Sequence, residues 1–290
     1  MSADNEFGEQ PPGTRLFNRA KRVIEQNATW LISTEAILFY ILLYVPILVV
    51  IALSFNDSQI AVSWQGFTLK WYAQILSGEG TRVVNPSVAQ TALENTVLIA
   101  LVSTGVSVVF GTLLAIGLDR YNFSGKRALN GVVYMPIIMP SIIMGISALV
   151  FFHQLDISTG LGTTMIAHIV FNISFVTVIV YARLQSFDRT LEEAANDLGA
   201  DNLETFRYVT LPLISPGIIA GGLLAFALSF DDFVITYFVI GTEKTLPVYF
   251  FSMVRQGIAP GVNVIASLIV ITVMLLVFLA QYITSPDEIA

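Results

Sequence analysis

The stretch TLEEAANDLGADNLETFRYVTLP, residues 190–212, carries a dense set of local folding signals and lies between two long apolar runs. Thr190 is a candidate N-cap residue, and Glu193 stands three residues later, where its side chain can close a capping box. Gly199 follows at the distance expected of a glycine that ends a helix. We therefore expect a first short helix between Thr190 and Gly199.

A second short helix is predicted in the same stretch. Asp201 can cap its N-terminus, and Glu204 stands at its third position. Pro212 disfavours the helical conformation at Leu211, so we expect a break there before the chain enters the next apolar run. The stretch is therefore predicted to be a folded helix–turn–helix rather than a slack linker.

The composition around this stretch indicates a membrane protein. Hydrophobic residues make up 55% of the 290 residues and charged residues only 12%, whereas a soluble domain carries about 25% charged residues. This balance excludes intrinsic disorder and argues against a soluble globule. The net charge of −7 leaves no overall basic footprint for nucleic acid, and the absence of cysteine excludes disulfides and thiolate chemistry.

Six apolar stretches of about 20 residues are long enough to cross a bilayer. They cover residues 35–54, 95–118, 129–152, 165–181, 216–240 and 262–283. We therefore expect an all-α membrane domain over residues 35–284, with the loop 185–213 outside the bilayer and short tails at 1–34 and 285–290. No A-x-A cleavage pattern follows the first apolar run, which favours an anchor over a cleaved signal peptide.

Lysine and arginine residues predict the orientation of these spans. Ten of the fourteen lie in the N-terminal tail and in the segments after the second and fourth spans. The positive-inside rule then places both termini in the cytoplasm of a cell whose inner or plasma membrane holds the protein, and it places loops 55–94 and 241–261 outside. Apolar residues in the tail recur at helical spacing beside its bases, which favours a helix lying on the membrane surface: Leu16, Phe17, Ala20, Val23 and Ile24.

Asp231 and Asp232 stand deep within the fifth apolar run. An ionised carboxylate in the bilayer costs several kcal/mol unless it faces partners or water. One interpretation is a route for a cation, since Phe230, Phe233 and Tyr237 could supply cation–π contacts. The other is structural: one of the aspartates caps a break in the helix or bonds another subunit. The two side chains point about 100° apart on a helix, so at most one need face a pore.

The stretch 190–212 resembles the EAA loop of ABC-importer permeases. The matching residues are Glu193, Ala194, Ala195, Gly199, Val209, Leu211 and Pro212, and the family usually has isoleucine at the position of Val209. The resemblance implies a type I ABC-importer permease fold in which this loop is the coupling helix that docks on an ATP-hydrolysing subunit. Glu193 could equally serve only to complete the capping box.

Other segments are similar to the spermidine/putrescine branch of that family, closest to the permease subunit conventionally called C. They are Ser54–Asn56, Trp64–Tyr72, Arg120–Lys126 and Ser229–Phe233, and together with the EAA-like loop they extend the resemblance over nearly the whole chain. The resemblance implies import of a small cationic solute, delivered by an extracytoplasmic solute-binding protein. It also implies a sibling permease subunit and two copies of an ATP-binding subunit that hold ATP and Mg, so no cofactor or enzymatic activity is expected in this chain. Iron, thiamine or another small solute stays open as an alternative.

Classes other than an ABC permease are less well supported. An ion-coupled secondary transporter using Asp231 or Asp232 would be favoured by inverted repeats, which we do not find. The chain has no phosphate-binding loop, zinc-protease or nucleophile-elbow motif. His153, His168, Gln154 and Asn172 are expected to be polar groups satisfied between helices rather than metal ligands.

Three further features carry weaker predictions. The outer-loop aromatics could anchor the loop at the membrane interface or contact the binding protein: Trp64, Phe67, Trp71 and Tyr72. Pro136 and Pro140 are expected to kink the third span. Gly217 and Gly221 form a G-x-x-x-G pair that favours close helix packing.

Overall fold

The computed structural model describes residues 12–58, 63–79, 84–256 and 260–284, and almost all regular structure in those ranges is helical. The helices, in chain order, are α1 Pro12–Ser54, α2 Lys70–Leu76, α3 Pro86–Arg120, α4 Lys126–Ile138, α5 Ser141–Gln154, α6 Leu161–Ser186, α7 Thr190–Asp197, α8 Asn202–Thr205, a π-helical turn Phe206–Thr210, α9 Leu211–Asp231, α10 Val234–Val239, α11 Leu246–Gln256 and α12 Pro260–Thr284. An isolated antiparallel bridge joins Asn56 to Phe67.

Four helical segments within the described residues are long and apolar enough to cross a membrane. They are Ile32–Ser54, Pro86–Arg120, Leu161–Ser186 and Asn202–Asp231. The pair α4 and α5 passes the same test when taken together, which gives up to five spans, and α12 contributes the shorter apolar helix Gly261–Ile271. The prediction of an all-helical membrane protein is confirmed.

Two of the predicted spans are interrupted. Residues 129–152 were expected to form one kinked helix, but α4 and α5 meet at an angle of 111°. Met139 before Pro140 takes the extended conformation, with ψ 133°, because the proline ring crowds a helical residue in front of it. Pro136, by contrast, lies inside α4.

The second interruption falls in the predicted span 216–240. Helix α9 ends at Asp231, Asp232 takes an extended ψ of 119°, and α10 begins at Val234. The break therefore coincides with the two acidic residues that stood out in the sequence.

The predicted N-terminal surface helix lies within one long helix. Helix α1 runs without interruption from Pro12 to Ser54. The side chains of Leu16, Phe17, Ala20, Val23 and Ile24 lie outside the part that the structure describes, as do the first eleven residues and the last six.

The chain divides into two compact units. One contains residues 1–72 and 263–290, and the other residues 73–262. The core of the second unit is formed where α3, α6 and α9 pack together, and its buried apolar residues are Ala115, Val176, Val180, Leu184, Ile214 and Ala225.

Glycines permit the close packing of these three helices. A Cβ atom at Gly111 would lie 2.8 Å from the Cβ of Val176, and one at Gly217 would lie 2.7 Å from the Cβ of Arg183. At Gly221 the nearest atom would be the Cα of Val176 at 3.4 Å. Small residues at these positions let the backbones approach, as the G-x-x-x-G pair predicts.

Candidate functional site

The helix α7 begins where the sequence predicts, but its cap differs. Thr190 is the first helical residue, and the carboxylate of Asp188 accepts a hydrogen bond of 3.0 Å from the Thr190 amide. This hydrogen bond holds the pKa of Asp188 below its ordinary value. The predicted capping box of Thr190 and Glu193 is therefore wrong: a better placed acceptor two residues upstream satisfies the first turn.

The turn between the two short helices is formed as predicted. Gly199 has a φ of +92°, and its amide donates to the carbonyl of Asn196 over 2.9 Å. The Glu204 amide donates to Asp201 over 2.7 Å, and the Asp201 amide donates to Glu204 over 3.1 Å. The second capping box is thus complete, and it fixes the direction in which the chain leaves the turn.

The chain does not break at Leu211. Leu211 has helical φ and ψ of −60° and −45°, and the π-helical turn Phe206–Thr210 leads directly into α9. Pro212 lies in the first turn of α9, directly after the π-helical turn. The wider π turn before it absorbs the crowding by the proline ring, so the loop and the membrane helix form one continuous helical path.

Glu192 is a buried carboxylate that ties this loop to the end of α3. Its side chain accepts hydrogen bonds from the guanidinium of Arg120 and the hydroxyl of Thr210, and only 6% of the residue is exposed. Burial by itself raises the pKa of Glu192, but the hydrogen bonds from Arg120 and Thr210 outweigh it and hold that pKa below its ordinary value. The carboxylate is therefore charged at neutral pH and links α3, α7 and the π turn.

A second ion pair fixes the start of α7. Both carboxylate oxygens of Asp119 lie 2.9 Å from Nη2 of Arg189, and the Asp119 side chain is 1% exposed. Gln185 donates a further hydrogen bond to Asp119 over 2.5 Å. Two neighbouring residues at the end of α3 thus hold the start of α7: Asp119 binds Arg189 just before the helix, and Arg120 binds Glu192 in its first turn.

The opposite face of the loop is exposed. Glu193, Ala194 and Gly199 are exposed, and Ala195 is half-buried. Large apolar side chains stand beside them in solvent: Leu198 is 90% exposed, Leu203 72% and Tyr208 71%. Leu211 and Pro212 are also exposed. A folded loop that is held by ion pairs and exposes leucines has the character of a surface that binds another protein.

The two aspartates at the α9–α10 break have different surroundings. The Asp232 carboxylate accepts hydrogen bonds from the amide and the hydroxyl of Thr236, over 2.8 and 2.9 Å, and its side chain is 12% exposed. It therefore caps α10. Asp231 is exposed, and its side chain makes no hydrogen bond or ion pair with any residue in the described ranges.

Aromatic rings gather next to this break. Phe233 lies 5.5 Å from Tyr237 and 4.6 Å from Phe251, measured between ring centroids, and Tyr237 is 44% exposed. Phe230 is not in this cluster, because it stacks on Phe226 at 5.9 Å. Of the aromatic residues singled out in the sequence, Phe233 and Tyr237 are brought together and Phe230 is not.

The polar residues of the membrane helices divide into three kinds. His168 is buried and hydrogen-bonded between helices, as expected. His153 and Gln154 are exposed, so the expectation of partners between helices is wrong for them. Asn172 is fully buried, yet neither its amide nitrogen nor its amide oxygen has a hydrogen-bond partner among the described residues, which also contradicts the expectation. The residues that the structure describes contain no cluster of three or more His, Cys, Asp or Glu that could hold a metal ion.

The loop that follows α1 is organised by Asn56. Its side-chain amide donates to the backbone carbonyl of Ser63 over 2.7 Å, and its backbone carbonyl accepts a hydrogen bond from the indole nitrogen of Trp71 over 2.8 Å. The Tyr72 hydroxyl lies 2.7 Å from that of Ser54, so both Trp71 and Tyr72 are part of the loop's own fold. Trp64 and Phe67 are 55% and 69% exposed and remain available for a membrane or protein surface.

Several residues of the site could not be singled out from the sequence. Glu192, Arg120 and Thr210 are far apart along the chain, and no spacing rule joins them. The same is true of the pair Asp119 and Arg189. His168 was noticed, but its role as a partner of the α9–α10 break depends on the packing of α6 against α9.

Long apolar helices joined by a folded loop with exposed apolar side chains define a multi-pass membrane protein. The family model described as binding-protein-dependent transport system inner membrane component matches residues 107–288. The chain belongs to this family: it is a multi-pass inner-membrane permease component of an ABC transporter, and it is not itself an enzyme.

Three sequence relatives are permease proteins of spermidine/putrescine or putrescine transport systems. The chain is 38% identical to the spermidine/putrescine transport system permease protein PotC of Escherichia coli (strain K12), over 245 residues that cover 84% of this chain and 90% of that protein. The PotC protein of Haemophilus influenzae is 37% identical over 250 residues, covering 86% and 94%. The putrescine transport system permease protein PotI of Escherichia coli (strain K12) is 36% identical over 260 residues, covering 87% and 90%.

Solved structures share the fold. A bacterial ABC transporter involved in the import of the acidic polysaccharide alginate aligns with a TM-score of 0.60 and 15% identity, covering 97% of this chain and 99% of that chain. The same kind of transporter, in complex with alginate pentasaccharide-bound periplasmic protein, aligns with a TM-score of 0.65 and 17% identity, covering 93% and 97%. At this identity the likeness concerns the fold alone.

Proposed function

We propose that this chain is the permease subunit of an ATP-driven importer of a polyamine such as spermidine or putrescine. The single observation that carries the choice of solute is the α9–α10 break, where Asp231 has an exposed, unpaired carboxylate and Phe233, two residues later, lies 5.5 Å from Tyr237 between ring centroids. The relatives named above, of which two are spermidine/putrescine permeases and one a putrescine permease, support the same solute class.

The chemistry of the break suits a flexible polycation. A carboxylate that no protein cation neutralises attracts a protonated amine, and an aromatic face binds the same group by cation–π attraction. Asp232 is already occupied as the cap of α10, so Asp231 is the member of the pair that contacts the solute. Phe230 lies outside the ring cluster and serves the packing of α9.

The assembly follows from the family. The chain forms six spans in the type I permease fold, with the sixth along α12, and both termini lie in the cytoplasm. It pairs with a sibling permease subunit, and a solute-binding protein delivers the polyamine to the outer face. Two ATP-binding subunits hold ATP and Mg, and they supply the energy of transport.

The exposed face of the α7–α8 loop is the coupling surface for the ATP-binding subunit. Its members are Glu193, Ala194, Ala195, Gly199, Leu211 and Pro212, and the exposed side chains of Leu198, Leu203 and Tyr208 extend it. Ion pairs through Glu192 and Asp119 hold the loop rigidly to α3, so a movement of the loop is transmitted to the membrane helices.

In this proposal transport alternates between two conformations of the permease, one open to each side of the membrane. Closure of the ATP-binding subunits moves the coupling surface, and the helices attached to it open the route on the other side of the membrane. The solute favours this change only if it binds one of the two states more tightly than the other.

The experiment replaces Asp231 by asparagine in the complete transporter, reconstituted in liposomes with its binding protein. We expect Asp231→Asn to lower polyamine uptake about tenfold, corresponding to the loss of about 1.4 kcal/mol of attraction for the cation. Glu243→Gln is the matched control, because Glu243 is an exposed carboxylate of a loop predicted to face outward. Uptake by Asp231→Asn at the wild-type rate would refute the proposed cation contact.

A further inference from the structure

The imidazole of His168 lies where four helices meet. It is 1% exposed, its Nδ1 lies 2.6 Å from the hydroxyl of Ser229 on α9, and its Nε2 lies 2.9 Å from the hydroxyl of Thr236 on α10. The Ser229 hydroxyl in turn lies 2.9 Å from that of Ser103 on α3. His168 itself belongs to α6, so one buried side chain connects the helices on both sides of the α9–α10 break.

The protons of this network have a defined order on the side of the break. The Thr236 hydroxyl donates its single proton to Asp232 over 2.9 Å. Nε2 of His168 therefore carries a proton and donates it to the Thr236 oxygen. The same Nε2 lies 3.4 Å from the Asp232 carboxylate. Asp232 is thus held by the Thr236 amide, the Thr236 hydroxyl and the edge of a buried imidazole.

The orientation of Asp232 decides what the neighbouring carboxylate can do. The backbone is extended at Asp232, so the side chains of Asp231 and Asp232 lie in different surroundings: that of Asp231 is exposed, whereas that of Asp232 is only 12% exposed. Phe233 and Tyr237 follow within the same short segment, and α10 also packs through Ile235 and Val239 against Phe152 and Phe171. A change at Asp232 would therefore alter the position of the ring cluster as well.

We propose that His168 is a positioning residue for cation transport: it holds Asp232 at the start of α10, and thereby leaves Asp231 as the carboxylate of the pair that faces the solute. This inference rests on the proposed function, because it assigns a support to the proposed cation contact. His168 does not touch the solute. It acts through Asp232 and Thr236.

Replacement of His168 has a specific consequence. In His168→Ala the largely buried Asp232 carboxylate keeps its hydrogen bonds from Thr236 but loses its imidazole partner, and an incompletely compensated buried charge is costly. We expect transport by the complete complex to fall about tenfold, because the Asp232 carboxylate and Thr236 lose the imidazole that orients them. His168→Gln should retain most of the transport, since its amide can both donate to Thr236 and accept from Ser229.

A second substitution separates positioning from mere packing. Asp232→Asn removes the uncompensated charge, so the double variant His168→Ala with Asp232→Asn should transport better than His168→Ala alone. A residue that only fills space would give independent losses instead. Asn172→Ala, one helical turn along α6 from His168 and equally buried, is the matched control, and Asp232→Asn should not improve transport in that background.

The test uses polyamine uptake by the intact transporter in liposomes, with assembly followed by co-purification. Thr236→Val provides a second, nearly isosteric variant if His168→Ala does not assemble, and it should show the same loss of uptake. Wild-type uptake in His168→Ala or in Thr236→Val, or no improvement by Asp232→Asn, overturns the inference. Asp231→Asn is measured in parallel: if it alone is silent, the proposed cation contact fails while the effect of His168 on the break stands.

Discussion

The adjacent residues Glu192 and Glu193 have side chains in different surroundings. The side chain of Glu192 is directed at Arg120 and Thr210, whereas that of Glu193 is exposed. Neighbouring residues on a helix point about 100° apart, so one can bind the protein's own framework while the other is offered to a partner. The stability of the loop and its proposed contact with the ATP-binding subunit are therefore assigned to different residues.

This division can be tested by comparing Glu192→Gln with Glu193→Gln. Glu192→Gln should reduce the stability of the permease by about 1–3 kcal/mol, because it removes a buried charge that accepts two hydrogen bonds. Glu193→Gln should leave stability unchanged. Thermal unfolding of the purified complex measures both, and an equal effect of the two variants would contradict the assignment.

The pH dependence has a definite sign. The pKa of Glu192 is lower in the folded protein than its ordinary value, so its contribution to stability is fully present above that ordinary value, about 4.3. The contribution is lost as the pH falls further towards the folded pKa. The wild type should therefore lose stability more steeply than Glu192→Gln when the pH is lowered below about 5.

At the scale of elements, the turn between α7 and α8 and the break between α9 and α10 position the residues of the candidate site. The turn between α7 and α8 depends on Gly199, whose φ of +92° is unfavourable for other residues, and a Cβ atom there would meet nothing within 4 Å. Substitution at Gly199 therefore strains the backbone without a steric clash, and it should change the direction of α8 rather than unfold the protein.

A second glycine supplies the control for this turn. Gly125, at the start of α4, has a φ of +103° and equally open surroundings. We expect Gly199→Val to lower solute-stimulated ATP hydrolysis by about fivefold or more, because strain of about 1–2 kcal/mol displaces the coupling surface. Gly125→Val should retain the stimulation, and Gly199→Asn should be milder because asparagine tolerates this conformation. Similar losses at both glycines would show that backbone strain, and not the coupling surface, is responsible.

Sequence predicted the two short helices of the loop well and the membrane breaks less well. Gly199 and the capping box of Asp201 and Glu204 act within a few positions of each other, so their effect could be predicted locally, whereas the first cap was predicted wrongly because Asp188 supplies the acceptor. The continuous helix through Leu211 could not, because it depends on a π turn that the packing of Thr210 against Glu192 supports. The break at Asp232 likewise depends on capping by a residue whose partner, His168, lies on another helix.

At the scale of the whole molecule, the distribution of charge predicts the orientation in the membrane. The segment after α3 contains Lys126 and Arg127 and is expected in the cytoplasm, whereas residues 241–261 are expected outside. The absence of cysteine from the chain makes this orientation directly measurable, because any introduced thiol is the only one present.

We expect Thr242→Cys to react with a membrane-impermeant thiol reagent added outside intact cells, and Ser124→Cys to react only after the membrane is opened. Both positions are exposed, so access depends on the side of the membrane alone. Labelling of Ser124→Cys in intact cells would contradict the proposed orientation of the chain in the membrane.

The sequence by itself determined that this is a helical membrane protein, where most of its apolar helices lie, and that the loop 190–212 folds as a pair of short helices. These properties depend on composition and on interactions between residues close in the chain. Only the tertiary structure decided that Glu192 rather than Glu193 holds the loop, that Asp232 is a cap and Asp231 is free, and that His168 supports the break between α9 and α10. Each of these depends on side chains from separate helices, which come within hydrogen-bonding distance only when α3, α6 and α9 are packed together.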